Sequence, residues 1–351
     1  MKTFDHGKMI SLAMLVFLLL GPLSAACTLN PFAPQKKDVV EVPSGDLGFL
    51  DDMHLYLALE KGYFAEEGIK PNFTRFRSTA DAIGPLSTGE IKVLPGGVAI
   101  GMFNALARGL PIKIVASRSL LYMPFDSNWW MVRSDLADKI KTAADLKGKK
   151  INFMAPGSVN YYAGVKILER GGLTLKDIEP VHLGMPDAVS AMQGKAVDVS
   201  IAIEPFVGIM ESQGIARRWA STTEFTGPYQ VAIVTYNADW AQKSPEQAKS
   251  FMVAYIKGMR DYYRAMVGGT NRKEVIEIAT RYTAMKDAAQ YEKIFWTGTR
   301  PNGYVDVANL KDQLALYAKN GLLEGAPADL DKAVDNSFVD YAISKLGRMP
   351  E

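Results

Sequence analysis

The stretch Gly48-Phe49-Leu50-Asp51-Asp52-Met53-His54-Leu55-Tyr56-Leu57-Ala58-Leu59-Glu60-Lys61-Gly62-Tyr63-Phe64-Ala65-Glu66-Glu67-Gly68-Ile69 decides how the rest of this chain is read. A glycine turn leads into two acidic residues, the charge a helix start favours, and an apolar helix follows. Gly62 and Gly68 each end a short segment, because glycine takes the left-handed conformation that closes a helix without steric cost. Residues 70–76 then read as a strand. The unit is a strand-loop-helix-strand, and its first loop, 48–54, is where an α/β protein holds a ligand.

Outward from this unit, strand and helix alternate over 39–42, 53–61, 70–76, 81–87, 98–102, 104–108 and 112–117. That is the pattern of an α/β domain with a largely parallel sheet. Pro95-Gly96-Gly97 reads as a turn ahead of the strand at 98–102. After an aromatic segment, 121–132, a second alternating series follows at 150–154, 161–170, 179–182, 187–193, 197–203 and 205–212, implying a second unit of similar construction. A β-rich run at 230–236 precedes a helical C-terminal part with helices expected over 245–266, 272–282, 288–295, 307–319 and 330–346. Ser244-Pro245-Glu246-Gln247 carries the residues of a capping box, with Pro at the first helical position.

The 351 residues are 48% hydrophobic and 22% charged, which suits two globular domains. A net charge of +2, with Lys and Arg interspersed among Asp and Glu, argues against a nucleic-acid partner. The N-terminus differs: Lys2 and Lys8 flank the start of an apolar run, 9–20, followed by Gly21-Pro22-Leu23-Ser24-Ala25-Ala26-Cys27. The run is shorter than the roughly 20 residues of a membrane span, and small residues follow it, so residues 1–26 read as a secretory signal. Cys27 is the sole cysteine, which excludes an intramolecular disulfide. Its setting resembles a bacterial lipobox, with Ser24 where leucine is usual, so Cys27 is expected either to be lipidated or to lie just beyond simple cleavage near Ala26. Residues 27–37 read as a tether. The expected location is the periplasm or the extracytoplasmic membrane surface.

Several runs, in order along the chain, resemble one family. They are the stretch 57–69 quoted above, Ala107-Arg108-Gly109-Leu110-Pro111-Ile112-Lys113-Ile114-Val115-Ala116, Asp145-Leu146-Lys147-Gly148-Lys149-Lys150-Ile151, Ala191-Met192-Gln193-Gly194-Lys195-Ala196-Val197-Asp198 and Glu204-Pro205. The chain is similar to periplasmic solute-binding proteins of ABC importers, in the nitrate, sulfonate, taurine and thiamine-precursor group. Lys92 stands where that family commonly has aspartate. The resemblance implies an α/β, two-lobed, type II Venus-flytrap fold with a helical C-terminal part. Lobe 1 would comprise 38–124 and 226–351, lobe 2 would comprise 125–225, and the hinge would lie near 125–129 and 226–231. It also implies a monomer that serves a permease in the inner membrane.

A cleft between two α/β lobes presents helix N-termini, whose unpaired amides attract anions. In lobe 1 the candidates are Phe49, Asp51 and His54, then Ser78 and Thr79, then Phe103 and Asn104. In lobe 2 they are Ser158, Asn160 and Tyr161, each on a strand-end loop or the helix it feeds. Arg118 can meet a carboxylate or sulfonate through its planar fork or remain a surface arginine. Glu204 can face the cleft or cap the following helix, and Trp129 can stack on a ring or pack the hinge. Ser78, Thr79 and Ser158 can equally be plain N-caps. Asp51 and His54 share a helix face, but the other histidines, His6 and His182, are remote, so no metal is expected.

The expected function is capture of a small anionic organic solute, a sulfonate or carboxylate, with a pyrimidine, thiamine precursor or other neutral heteroaromatic as the alternative. An enzyme resembling the pyrimidine synthase of thiamine biosynthesis shares the fold but uses cysteines, a histidine and pyridoxal phosphate. Here no cysteine cluster exists, so no enzyme and no cofactor are expected.

Overall fold

The computed structural model describes residues 39–351; the expected signal, Cys27 and the expected tether lie outside them. Two five-stranded sheets organise the described chain. The first is built from β1 (Val40–Asp46), β2 (Ile69–Arg75), β3 (Val93–Gly97) and β4 (Ile112–Leu121). The second is built from β5 (Asn128–Arg133), β6 (Lys150–Asn152), β7 (Glu179–Val181), β8 (Val199–Ile203) and β9 (Ala216–Ser221). The chain then returns as β10 (Tyr229–Asn237), which inserts between β3 and β4 of the first sheet.

The strand orders are β2-β1-β3-β10-β4 and β7-β6-β8-β5-β9. Pairing is parallel among β1, β2 and β3 and among β6, β7 and β8; the strands that follow a crossing, β10 and β5, run antiparallel to their neighbours. Every residue of β10 is buried, as expected of a strand covered on both faces.

One face of the first sheet carries the Met53–Glu60 and Pro245–Gly268 helices, with Val42, Val93, Val234, Phe251 and Tyr255 in one apolar cluster. The two helices cross so closely that a Cβ on Gly258 would lie 2.1 Å from the His54 carbonyl oxygen. Among the described residues no helix is long and apolar enough to cross a membrane.

Five local readings are corrected. Pro95-Gly96-Gly97 is not a turn but part of β3, and 98–102 is not a strand, because the Ile100–Ala107 helix begins there. A proline is tolerated in β3 because its pairing with β1 is confined to Val93. Gly96 is needed because Thr79 Cγ2 lies 2.8 Å from where its Cβ would be. Ser244 makes no side-chain capping bond, and Gln247 instead accepts from the Trp240 indole at 3.3 Å. The helix expected over 288–295 is a single 3-10 turn, Ala288–Glu292, and the one expected over 330–346 breaks into Leu330–Ala333 and Ser337–Leu346.

Candidate functional site

The carboxyl ends of β1, β2, β3, β6 and β8 converge on a cleft with two connected compartments, an inner chamber of about 450 Å³ and an outer vestibule of about 660 Å³. Leu47, Phe49, Leu50, Arg77, Met154, Ile203 and Glu204 border both. This is where an open α/β sheet places a ligand, and here both sheets contribute.

On the first sheet, the turn after β1 is held by Asp52. Its Oδ2 accepts the Leu47 and Phe49 N–H groups at 3.1 and 3.2 Å, and its Oδ1 lies 2.7 Å from Arg118 Nη2 on β4. Both side chains are buried, and Arg118 borders the inner chamber. Burial pushes the Asp52 carboxyl up, while Arg118 and the two N–H donors pull it back. Gly48 has a φ of +72°, and a Cβ there would lie 2.0 Å from the Arg75 guanidinium, which itself clasps Asp46 at 2.7 and 2.8 Å. The positive φ is what calls for glycine here.

On the second sheet, the loop after β6 runs from Met154 to the Val159–Arg170 helix. Met154 has a φ of +66°, a left-handed conformation that costs a non-glycine residue about 1 kcal/mol or more. Gly157, at φ +65°, brings this loop against the first sheet's Ile100–Ala107 helix, where the Ile100 N–H donates to the Gly157 carbonyl at 2.7 Å. A Cβ on Gly157 would lie 2.3 Å from Ile100 Cγ2. Tyr317 O–H donates to the Ser158 carbonyl at 3.0 Å across the same junction.

Phe49, Asp51, Ser78, Thr79, Arg118, Ser158, Asn160 and Glu204 border the inner chamber. Their polar atoms are partly committed. Ser78 and Ser158 Oγ accept the Asp81 and Tyr161 N–H groups as N-caps, and Thr79 Oγ1 accepts from Gly97 N–H at 2.9 Å. Asn160 Oδ1 accepts from Asn128 Nδ2 at 3.1 Å. Glu204 accepts from the Gly208 and Phe295 N–H groups and lies 3.3 Å from Arg218 Nη2; burial pushes its carboxyl up to about 7.

The other five candidates do not line either compartment. His54 is wholly buried beneath the turn, its Nδ1 3.3 Å from the Tyr255 hydroxyl and its ring edge-on to Tyr262; burial and then Arg118 lower its pKa to about 3, so it is neutral. Phe103 and Tyr161 pack against Tyr317 in the core, and Asn104 Oδ1 accepts the Glu324 N–H. Each lies inside its helix, where the turn of the backbone carries the side chain away from the cleft that the first residues face. Trp129 bonds the Asp126 carbonyl and packs on Phe295 and Arg218, at the crossing between the sheets.

Sequence reasoning did not single out Asp52, Asn128 or Met154. For Asp52 a signal existed in the Asp51-Asp52 pair; for Met154 none did. Among the described residues no three His, Cys, Asp or Glu side chains gather where they could hold a metal ion.

The fold is that of the two-lobed periplasmic binding proteins. The aliphatic sulphonate binding protein SsuA of Escherichia coli superposes with a TM-score of 0.69 at 20% identity, over 84% of this chain and 92% of that one. The nitrate-binding protein NrtA of Synechocystis PCC 6803 superposes with a TM-score of 0.73 at 17% identity, over 88% and 89%. The chain belongs to the NMT1/THI5-like family, whose sequence profile matches residues 51–265. It is similar to the riboflavin-binding protein RibY of Chloroflexus aurantiacus, 22% identical over 95% of this chain and 97% of that protein. It is also similar to the formylaminopyrimidine-binding protein of Halalkalibacterium halodurans, 24% identical over 74% of each. A 4-amino-5-hydroxymethyl-2-methylpyrimidine phosphate synthase of Saccharomyces cerevisiae, THI12, is 27% identical over 60% of this chain and 63% of its own length.

Proposed function

We propose that this protein is the solute-binding component of an ABC importer, which captures a small organic solute in the cleft by hinge closure and delivers it to an inner-membrane permease. The observation that carries this reading is a chamber of about 450 Å³ walled by strand ends of both sheets, with the Ile100–Gly157 hydrogen bond joining its two sides. A chamber walled by two sheets in this way can admit and release ligand as the sheets part, which is how hinge-closing binding proteins work. The lobes would be 38–124 with 226–351, and 125–225, swinging about the crossings near 125–129 and 226–231. The protein would act as an exported monomer, anchored through a lipidated Cys27 or freed by cleavage near Ala26.

Two ligand chemistries have support. An anionic solute, a sulfonate or carboxylate, is favoured by the N-termini of the Thr79–Thr88, Ile100–Ala107 and Val159–Arg170 helices, which border the chamber together with Arg118. A heteroaromatic ring is favoured by the apolar walls, among them Leu50, Ile100, Pro156 and Ile203, and by the similarity to riboflavin- and formylaminopyrimidine-binding proteins. A synthase resembling THI12 would need a different site, since residues 39–351 contain no cysteine.

A thermal-shift screen of the secreted protein with alkanesulfonates, nitrate, aromatic carboxylates, pyrimidines and flavins tests the proposal. A true ligand at a hundred times its Kd stabilises by about 2.7 kcal/mol, a shift of several degrees. No shift with any class would overturn the ligand chemistry proposed here.

A further inference from the structure

We infer that the cleft takes a two-part ligand, with an uncharged, hydrogen-bond-donating heterocycle in the inner chamber and an anionic tail of the phosphate-monoester class in the vestibule. The inference rests on the solute-binding reading above and assigns a polarity to that site.

The two compartments differ in charge. In the inner chamber Arg118 is already matched by Asp52 at 2.7 Å, and the other cation, Arg77, is shared with the vestibule. Asp51 borders the same chamber with no cation at salt-bridge distance among the described residues. Arg77 and Asp51 therefore leave the chamber's charges balanced within largely apolar walls, with no cation in excess for a ligand's anionic group. A ring N–H or amino group would instead find an acceptor.

The vestibule has cations in excess. Arg75 and Arg281 border it but are paired with Asp46 at 2.7 Å and Glu60 at 2.8 Å. Arg77 and Lys286 also border it, and neither has a carboxylate partner among the described residues; Lys286 Nζ meets only the Thr280 and Arg281 carbonyls, at 2.9 and 3.3 Å. The one carboxylate on the vestibule wall, Glu204, is buried and paired with Arg218. Two uncommitted cations at the outer compartment match a doubly charged phosphate ester.

The compartments are joined where Phe49, more than a third exposed, and Met154 border both. These two side chains come from opposite sheets, and Met154 is held in a left-handed conformation that glycine would adopt freely. A side chain kept there despite that strain is consistent with a slot that grips a flat body between an aromatic ring and a thioether.

Isothermal titration with matched pairs, riboflavin with its 5′-phosphate and uridine with its 5′-phosphate, tests the inference on the wild-type protein and on an Arg77→Ala, Lys286→Ala double variant. Both substituted residues are exposed, and melting temperature checks folding. For at least one pair the phosphate is expected to bind tenfold or more tightly than its alcohol in the wild type at low salt. In the double variant that ratio is expected to fall to within about twofold of one. Equal affinity for both members in the wild type, or a preference that survives in the double variant, would overturn the two-part ligand while leaving the ring reading intact. Binding of neither member of either pair would overturn both.

Discussion

The two loops that face each other across the cleft are held in opposite ways. The turn after β1 is braced from behind: Asp52 ties two backbone amides to the buried Arg118, and Asp46 fixes Arg75 beside Gly48. The loop after β6 has no buried ion pair in it. It is shaped by a strained Met154 and by Gly157, whose missing Cβ leaves room for Ile100. The first wall is preorganised, so it can present Phe49 and Asp51 at low entropic cost. The second is shaped by its contact with the opposite sheet, where the Ile100 N–H donates to the Gly157 carbonyl.

The contrast can be broken most severely at Asp52. Replacing it with Ala strands Arg118 without a counter-charge and leaves two amides without an acceptor, which costs about 3–5 kcal/mol. Chemical denaturation is expected to show that loss, and a second substitution, Arg118→Met, is expected to recover much of it. A loss below about 1 kcal/mol for Asp52→Ala would mean that the first wall is not braced as described.

A smaller effect is expected at Glu204, which borders both compartments. Its folded pKa of about 7 lies above its ordinary value of 4.5, so its protonated form is the one the fold favours. The stability this contributes is present below about pH 4.5 and is lost as pH rises through 7. The melting temperature of the wild type relative to Glu204→Gln should therefore fall between pH 5 and pH 8. A difference independent of pH would show that Glu204 is not perturbed.

The smallest effect is expected at Met154. Met154→Gly relieves the left-handed strain and is expected to change stability by no more than about 1 kcal/mol, in the stabilising direction, while weakening ligand binding. Tighter binding in this variant would deny the side chain any role in the cleft.

The β1 wall was largely legible in the sequence, and the β6 wall was not. Gly48 followed by Asp51-Asp52 announces a turn and a helix start, and Arg118 follows a strand that reads plainly from its apolar residues. What could not be read was helix phase: Phe103, Asn104 and Tyr161 lie one to three residues past the positions that border the chamber. That offset depends on how each helix leans on its sheet. Pro95-Gly96-Gly97 misled because turn residues are also the residues that let a strand pass beneath Thr79. Met154 was hidden because nothing local in the sequence marks a methionine held at positive φ. The buried place of His54 depends on Tyr255 and Tyr262, some two hundred residues away in sequence.

Gly157→Ala tests the account most directly, because its added methyl would meet Ile100 Cγ2 across the junction between the two sheets. Isothermal titration of the wild type and this variant with whichever flavin, pyrimidine or sulfonate the screen identifies is the measurement. The account predicts a loss of affinity of tenfold or more, with the unliganded variant's stability lowered by only the 1 to 2 kcal/mol or so that a non-glycine residue costs at positive φ. Equal affinity in the two proteins would contradict capture by closure at this junction.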